Sequence, residues 1–366
     1  MAPTRAENKK QQTPASILND ADTQFEVGKL DEAITLASRA LEETGPGGDF
    51  ELRALTLLGT LLVEVGEVDE GRSYLEKAVA LDEDGMMDET VGGGPEKFLL
   101  LAQLSEDGGH DSVRWFERGA SILRQQIEGL KAEVSHQTAL EEKQQKLGGV
   151  LCAVAEVYMT DLSWEDDAEQ RCETLITEAM MIAPKSPETW QTVANVRISQ
   201  QRTDEARQSL QRSLDLWQDL PPAHPDVPAF PTRIGLARLL LETEMEEEAL
   251  KVLERLVTDD DQSVEAWYLG GWCLYMSGEK LRSSSQDDEG GDSAAEWKST
   301  WSTARKWLVQ CLKLYAALEY EDERLGDHAV ELFQAINQEL GAMPEGEEDD
   351  WEDSENEEED GDEEMT

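Results

Sequence analysis

Positive charge is scarce in this chain. It has 32 Lys and Arg against 81 Asp and Glu, a net charge of −49 over 366 residues. A field of that sign repels nucleic acid and anionic membranes and draws in basic polypeptides. Cysteine is sparse as well. Cys152, Cys172, Cys273 and Cys311 form no C-x-x-C and no Cys/His pairing of metal-ligand spacing, which argues against a zinc site or a disulfide scaffold. Each lies among Leu, Ala and Val on a predicted helix face, the setting of a buried free thiol in a reducing compartment. His110, His136, His224 and His328 are isolated, and neither a nucleophile elbow nor H-E-x-x-H is present. Gly92-Gly93-Gly94 lacks the Lys-Ser/Thr that a phosphate loop needs. Catalysis, a metal and a cofactor are therefore not expected. No apolar run approaches the roughly 18 residues of a membrane span. The polar N-terminus (Arg5, Lys9, Lys10) has no secretory h-region, so the chain is predicted to be soluble, in cytoplasm and nucleus.

The acidity is unevenly spread. From Pro344 onward 15 of 23 residues are Asp or Glu, yet removing them only moves the net charge from −49 to −34. The folded body is itself strongly acidic. Either solubility alone or attraction for a basic partner accounts for that sign.

What is abundant is a repeat. A small residue set near Leu or Trp returns about every 34 residues or a multiple of it, the period of a helix–turn–helix array. One copy opens at Pro187 with Trp190, Val193 and Ala194, turns at Gln200 to Thr203, and continues with Ala206 and Leu210. Another spans Asp259 to Gly278, with Trp267, Gly270 and Gly271 in the same places. Periodicity predicts an all-α solenoid of about seven helix pairs over residues 13–341, closed by an amphipathic helix from Leu325 to Leu340. Residues 1–12 and 342–366 are predicted to be disordered. Between them, Gly92 to Pro95 reads as a flexible break and Val113 to Val134 as a helix running on towards residue 145. The prolines of 221–231 read as an extended linker, and the Ser-, Asp- and Gly-rich stretch 279–296 as a loose loop. Small residues such as Gly59, Gly71, Ala194, Ala206, Gly271 and Ala304 are predicted at close helix crossings.

This pattern resembles the tetratricopeptide repeat family. Trp190, Ala194 and Ala206 fit it in one copy; Ala155, Ala179 and Pro184 fit it in another. The segment Asp259 to Cys273, with its Ala266-Trp267-Tyr268-Leu269-Gly270-Gly271-Trp272 core, and the acidic ending more narrowly resemble the fungal assembly chaperones dedicated to large-subunit ribosomal protein four. That resemblance implies a solenoid that shields a basic, unstructured loop of its client until the client joins the pre-60S particle. It implies a one-to-one complex with that ribosomal protein and no nucleic-acid or membrane partner.

In the tetratricopeptide family the first helix of each pair lines a concave groove. The groove-facing positions here hold Asp22, Glu26, Glu64, Glu96, Glu106, Asp107, Glu156, Asn195, Glu242, Glu265, Tyr268, Trp272 and Tyr275, with Arg53 and Arg238 as the positive exceptions. Carboxylates pair with Arg and Lys, amides hold an extended backbone, and aromatic faces take guanidinium groups. The same residues are also what an ordinary solvated helix face would carry. A cochaperone clamp for heat-shock protein C-termini would instead need Lys and Asn there, and an acidic histone-type chaperone is a further alternative.

Overall fold

The computed structural model describes residues 12–131, 136–285 and 291–342. It contains fifteen α-helices among the described residues: α1 (Pro14–Glu26), α2 (Leu30–Thr44), α3 (Glu51–Glu64), α4 (Val68–Leu81), α5 (Glu96–Gln103), α6 (Gly109–Leu130), α7 (Gln137–Met159) and α8 (Ala168–Ile182) come first. Then follow α9 (Pro187–Ser199), α10 (Thr203–Asp215), α11 (Phe230–Glu242), α12 (Glu246–Asp259), α13 (Val264–Ser285), α14 (Gly291–Ala317) and α15 (Glu323–Leu340). The order is seven consecutive pairs and one closing helix, as the repeat period predicts. The expected leader and acidic tail fall almost wholly outside the described residues.

The chain divides into two compact units, residues 1–192 and 193–366, with the boundary inside α9. In the first, Thr13 caps α1 by accepting from Ser16 N–H, and Pro14 occupies its first turn, where no amide bond is lost. Ile17, Leu18 and Ala21 of α1 are fully buried with Ala33, Ala37 and Ala40 of α2. The α3–α4 crossing is tighter still. A Cβ on Gly59 would lie 3.2 Å from the Gly71 carbonyl, and one on Gly71 3.0 Å from the Gly59 carbonyl. Only glycine lets two helix backbones approach that closely. Leu75 closes over the contact, fully buried and worth about 1.5–3 kcal/mol of apolar burial.

The second unit is built around tryptophan. Trp217, Trp267, Trp297, Trp301 and Trp307 are buried with Leu236, Leu240, Leu253 and Leu308 in one cluster. Trp267 and Trp307 rings lie 4.7 Å apart, and Trp267 Nε1 donates to the Asp261 carbonyl six residues back. Trp190 makes the same bond to Pro184 in its own repeat, so the aromatic that opens a copy also ties down the turn before it. Helix α15 buries Leu325, Ala329, Leu332 and Ile336, packing on α13 and α14.

Four local expectations are corrected. Gly92 to Gly94 are buried rather than loose; a Cβ on Gly93 would meet the Met87 carbonyl oxygen at 2.0 Å, so the glycines serve close packing. Helix α6 stops at Leu130, and the next described helix starts at Gln137; Val134 lies outside the described residues. The proline segment makes turns as far as Ala229, and Pro231 sits in the first turn of α11, where its fixed φ suits a helix. Residues 279–285 and 291–296 are helical, with 286–290 outside the described residues. Arg282 makes this helix worth continuing: it ion-pairs with Glu339 at 3.0 Å and lies over the Trp297 and Trp301 rings.

Candidate functional site

Within each unit the first helices of successive pairs are neighbours: α1 with α3 and α3 with α5 in one, α11 with α13 and α13 with α15 in the other. Most of the predicted groove residues lie on these helices, with Glu156 on α7 and Asn195 on α9. Two lie on no helix. Glu106 and Asp107 sit in the turn between α5 and α6, because α5 is only eight residues long and ends at Gln103.

In the first unit three of the predicted carboxylates are held by the chain's own cations. Asp22 of α1 pairs with Arg53 of α3 at 2.5 Å, and the same guanidinium donates to Asn19 at 2.8 Å. Glu96 pairs with Lys146, and Glu106 with Arg72 at 2.6 Å. Lys143 of α7 reaches Glu89 at 2.5 Å. Burial pushes the Glu89 carboxyl up, but the bonds from Lys143 and Gln126 and their charge prevail and hold it below its usual range. Arg53 and Arg238 are thus not the sole positive groups at the carboxylate helices; Arg72, Lys143 and Lys146 join them. Glu26 and Glu64, at the last turns of α1 and α3, and Asp107 stay exposed. Glu156 on α7 accepts from Thr192 at 3.4 Å, and desolvation pushes its carboxyl up despite that bond.

The second unit brings its predicted residues together. Glu265, Tyr268 and Trp272 follow one another along α13, with Tyr268 and Trp272 ring centroids 6.0 Å apart. His328 of α15 closes the corner: its Nδ1 shares a hydrogen bond of 2.7 Å with the Tyr268 hydroxyl, and its ring meets Trp272 edge-on at 5.5 Å. Burial pushes the Tyr268 phenol up. Arg238 of α11 contacts Glu265 at 2.5 Å. Burial, and next the Glu265 charge, push the Tyr320 phenol up. Glu242, the last residue of α11, is exposed, while Asn195 on α9 is half-buried. Tyr275 differs from its neighbours on α13. It stacks on buried Trp301 at 5.1 Å and 5° and so packs within its own helix pair. His328 escaped sequence reasoning because a lone histidine on a closing helix carries no pattern. The ion pairs did leave a signal: Asp22–Arg53, Arg72–Glu106 and Arg238–Glu265 are separated by roughly one repeat.

No group of His, Cys, Asp and Glu able to hold a metal occurs among the described residues, and no described helix is long and apolar enough to cross a membrane. All four cysteines are buried free thiols.

Paired helices with small residues at their crossings and first helices presenting side chains in register define a tetratricopeptide repeat solenoid. Residues 52–84, helices α3 and α4, match the tetratricopeptide repeat family. A protein of Emericella nidulans described as a probable assembly chaperone of rpl4 is 45% identical over 338 residues, covering 92% of this chain and 84% of that protein. Its Schizosaccharomyces pombe counterpart is 34% identical over 332 residues, covering 90% of this chain and 93% of that one. A solved structure of an assembly chaperone of RpL4, residues 1–338, is 57% identical, with a TM-score of 0.71 over 75% of this chain and 99% of that one. The chain belongs to this family of rpl4 assembly chaperones.

Proposed function

We propose that this chain is a dedicated chaperone of the large-subunit ribosomal protein rpl4, holding a basic extended segment of it against the first helices until assembly into the pre-60S particle. The observation that carries the reading is on α13, where the half-buried Glu265 lies about one turn before Tyr268 and two turns before Trp272, whose rings meet His328 of α15. A guanidinium can bond to the carboxylate while stacking on a ring, and charged hydrogen bonds of this kind contribute about 1.5–3 kcal/mol each. The net charge of −49 draws such a segment in and repels RNA, which fits a chaperone that releases its client to the pre-ribosome. Binding is one-to-one with a monomeric chaperone, needs no catalysis, no nucleic acid and no membrane, and operates in both cytoplasm and nucleus.

Calorimetry with a synthetic peptide of the basic segment of rpl4 tests this. Binding should weaken steeply as salt rises, and Glu265→Arg should lower affinity at least tenfold, which is about 1.4 kcal/mol. Charge reversal at exposed Glu83, past the end of α4, should change it far less. No binding at low salt, or equal binding by both variants, would remove the peptide from the α13 corner.

A further inference from the structure

We propose that Arg238 is a resident placeholder for a client arginine: it covers Glu265 in the free chain and is displaced on binding, setting a threshold that a basic segment must exceed. This rests on the α13 corner being the client site. The carriers are the exposures of the two partners. The Arg238 side chain is 61% exposed over a Glu265 that is only 24% exposed, so the cation lies on the solvent side of a recessed carboxylate. The other groove arginine is arranged in reverse, with Arg53 22% exposed beneath an Asp22 that is 41% exposed, and with a second anchor on Asn19. Deeper pairs such as Lys97–Asp82, 0% and 4% exposed, are fixed parts of the core.

A second feature sets Glu265 apart. Its Oε1 is buried and accepts no hydrogen bond of acceptable geometry, although Arg238 Nη2 approaches to 2.5 Å. The resident pair is a charge contact with an unfilled acceptor. An exposed contact of this type changes an equilibrium by no more than about fivefold. An incoming guanidinium that aligns its N–H with Oε1 and lays its plane on Tyr268 or Trp272 makes two interactions where Arg238 makes one. A lysine, lacking the planar fork, makes only the first well. The device therefore favours arginine-bearing segments over merely basic ones.

The test uses the full chain, the same rpl4 peptide, and a version of that peptide with every Arg replaced by Lys. Arg238→Gln should bind the arginine peptide about three- to fivefold more tightly than the unaltered chain. The gain should vanish when Glu265→Gln is also present, and should be under about twofold for the lysine peptide. Lys251→Gln, an exposed cation on α12, should change neither affinity appreciably. Equal or weaker binding by Arg238→Gln overturns the proposal, as does a gain that survives Glu265→Gln, since that would be net charge acting at a distance. Circular dichroism melts separate a binding change from a folding defect. If the unaltered chain fails to bind either peptide, the α13 client site itself falls and the placeholder with it.

Discussion

The two units solve the same packing problem with different residues. In the first, glycine admits a neighbouring backbone: Gly59 and Gly71 bring α3 and α4 into contact through their carbonyls. In the second, glycine admits a ring. A Cβ on Gly270 would lie 2.1 Å from Trp307, and one on Gly278 2.2 Å from Trp301. The first-helix residues follow suit. The first unit presents several carboxylates, of which Asp22, Glu96 and Glu106 are held by the chain's own Arg and Lys, whereas the second presents one recessed carboxylate on the helix that carries Tyr268 and Trp272. Electrostatic attraction without a place to stack gives steering and little discrimination. Aromatic side chains beside a charge give an anchor. On the proposed function, long-range capture would fall to the acidic surface at large and grip to α13 and α15.

The largest expected effect breaks the packing half of that comparison. Overpacking a well-filled core costs about 1–3 kcal/mol, against which a helical Gly→Ala change returns up to about 1 kcal/mol. Gly270→Ala presses on a rigid indole that is itself locked against Trp267, so the loss should prevail. Gly59→Ala presses first on the Leu75 side chain, at 2.6 Å, which has rotamer freedom the ring lacks. Thermal melts should drop further for Gly270→Ala, by about 2–4 °C for each kcal/mol lost. An equal drop for both would mean that the tryptophans of the second unit are no more constrained than the leucines of the first.

Next in size is the binding contrast. Trp272→Ala removes the ring that His328 meets edge-on and should weaken binding of the rpl4 peptide by tenfold or more, as buried aromatic anchors do. Glu64→Ala, removing an exposed carboxylate of the first unit, should change affinity by less than about threefold. Reversed sizes in a titration would move the anchor to the first unit.

The buried thiols extend the comparison to pH. Burial pushes Cys152 in the first unit up to about 11, and Cys273 and Cys311 in the second up to about 12. A thiol whose folded pKa lies above its unfolded value contributes its full stability below the unfolded value, roughly 8.5. That stability is lost as pH rises through the folded pKa. Each unit holds two such thiols, since burial also pushes Cys172 of the first unit up, but the pair in the second is pushed furthest, so between about pH 9 and 12 the second unit should open before the first. Iodoacetamide labelling read by mass spectrometry at stepped pH should therefore reach Cys273 and Cys311 at lower pH than Cys152. At neutral pH all three should resist it. Earlier labelling of Cys152 would reverse the stability order.

Much of this architecture was legible before any coordinates. Trp190, Trp267 and the small residues announce the period because a close helix crossing tolerates nothing larger. What escaped was context. Gly92 to Gly94 look flexible in isolation, and only Met87 and Arg53 beside them reveal close packing. The serines of 279–285 read as loop, yet Ser283 and Ser284 donate to the carbonyls of Glu279 and Lys280 inside a continuing helix. The first-helix carboxylates were legible as residues. Their partners were not, because Lys143 and Lys146 lie 54 and 50 residues after Glu89 and Glu96. Tyr268 and Trp272 could be assigned to a face, but His328 comes to them only through the docking of α15.

The smallest expected effect is the most pointed. Arg53 and Arg238 both stand at positions predicted to face the groove and both pair with a carboxylate of a neighbouring first helix, yet the two are oppositely recessed. Arg53 spans α1 and α3 through Asp22 and Asn19, and the packed Gly92 lies against its backbone. Removing it takes away two charged hydrogen bonds that join helices, one of them half-buried. Arg53→Gln should thus lower stability by about 1 kcal/mol, read as a slight fall in the melting midpoint. It should leave rpl4-peptide affinity within about twofold, since Asp22 is already the more open partner. Affinity that rose as much as for Arg238→Gln would make every groove arginine a placeholder. The two units would then differ in their packing alone.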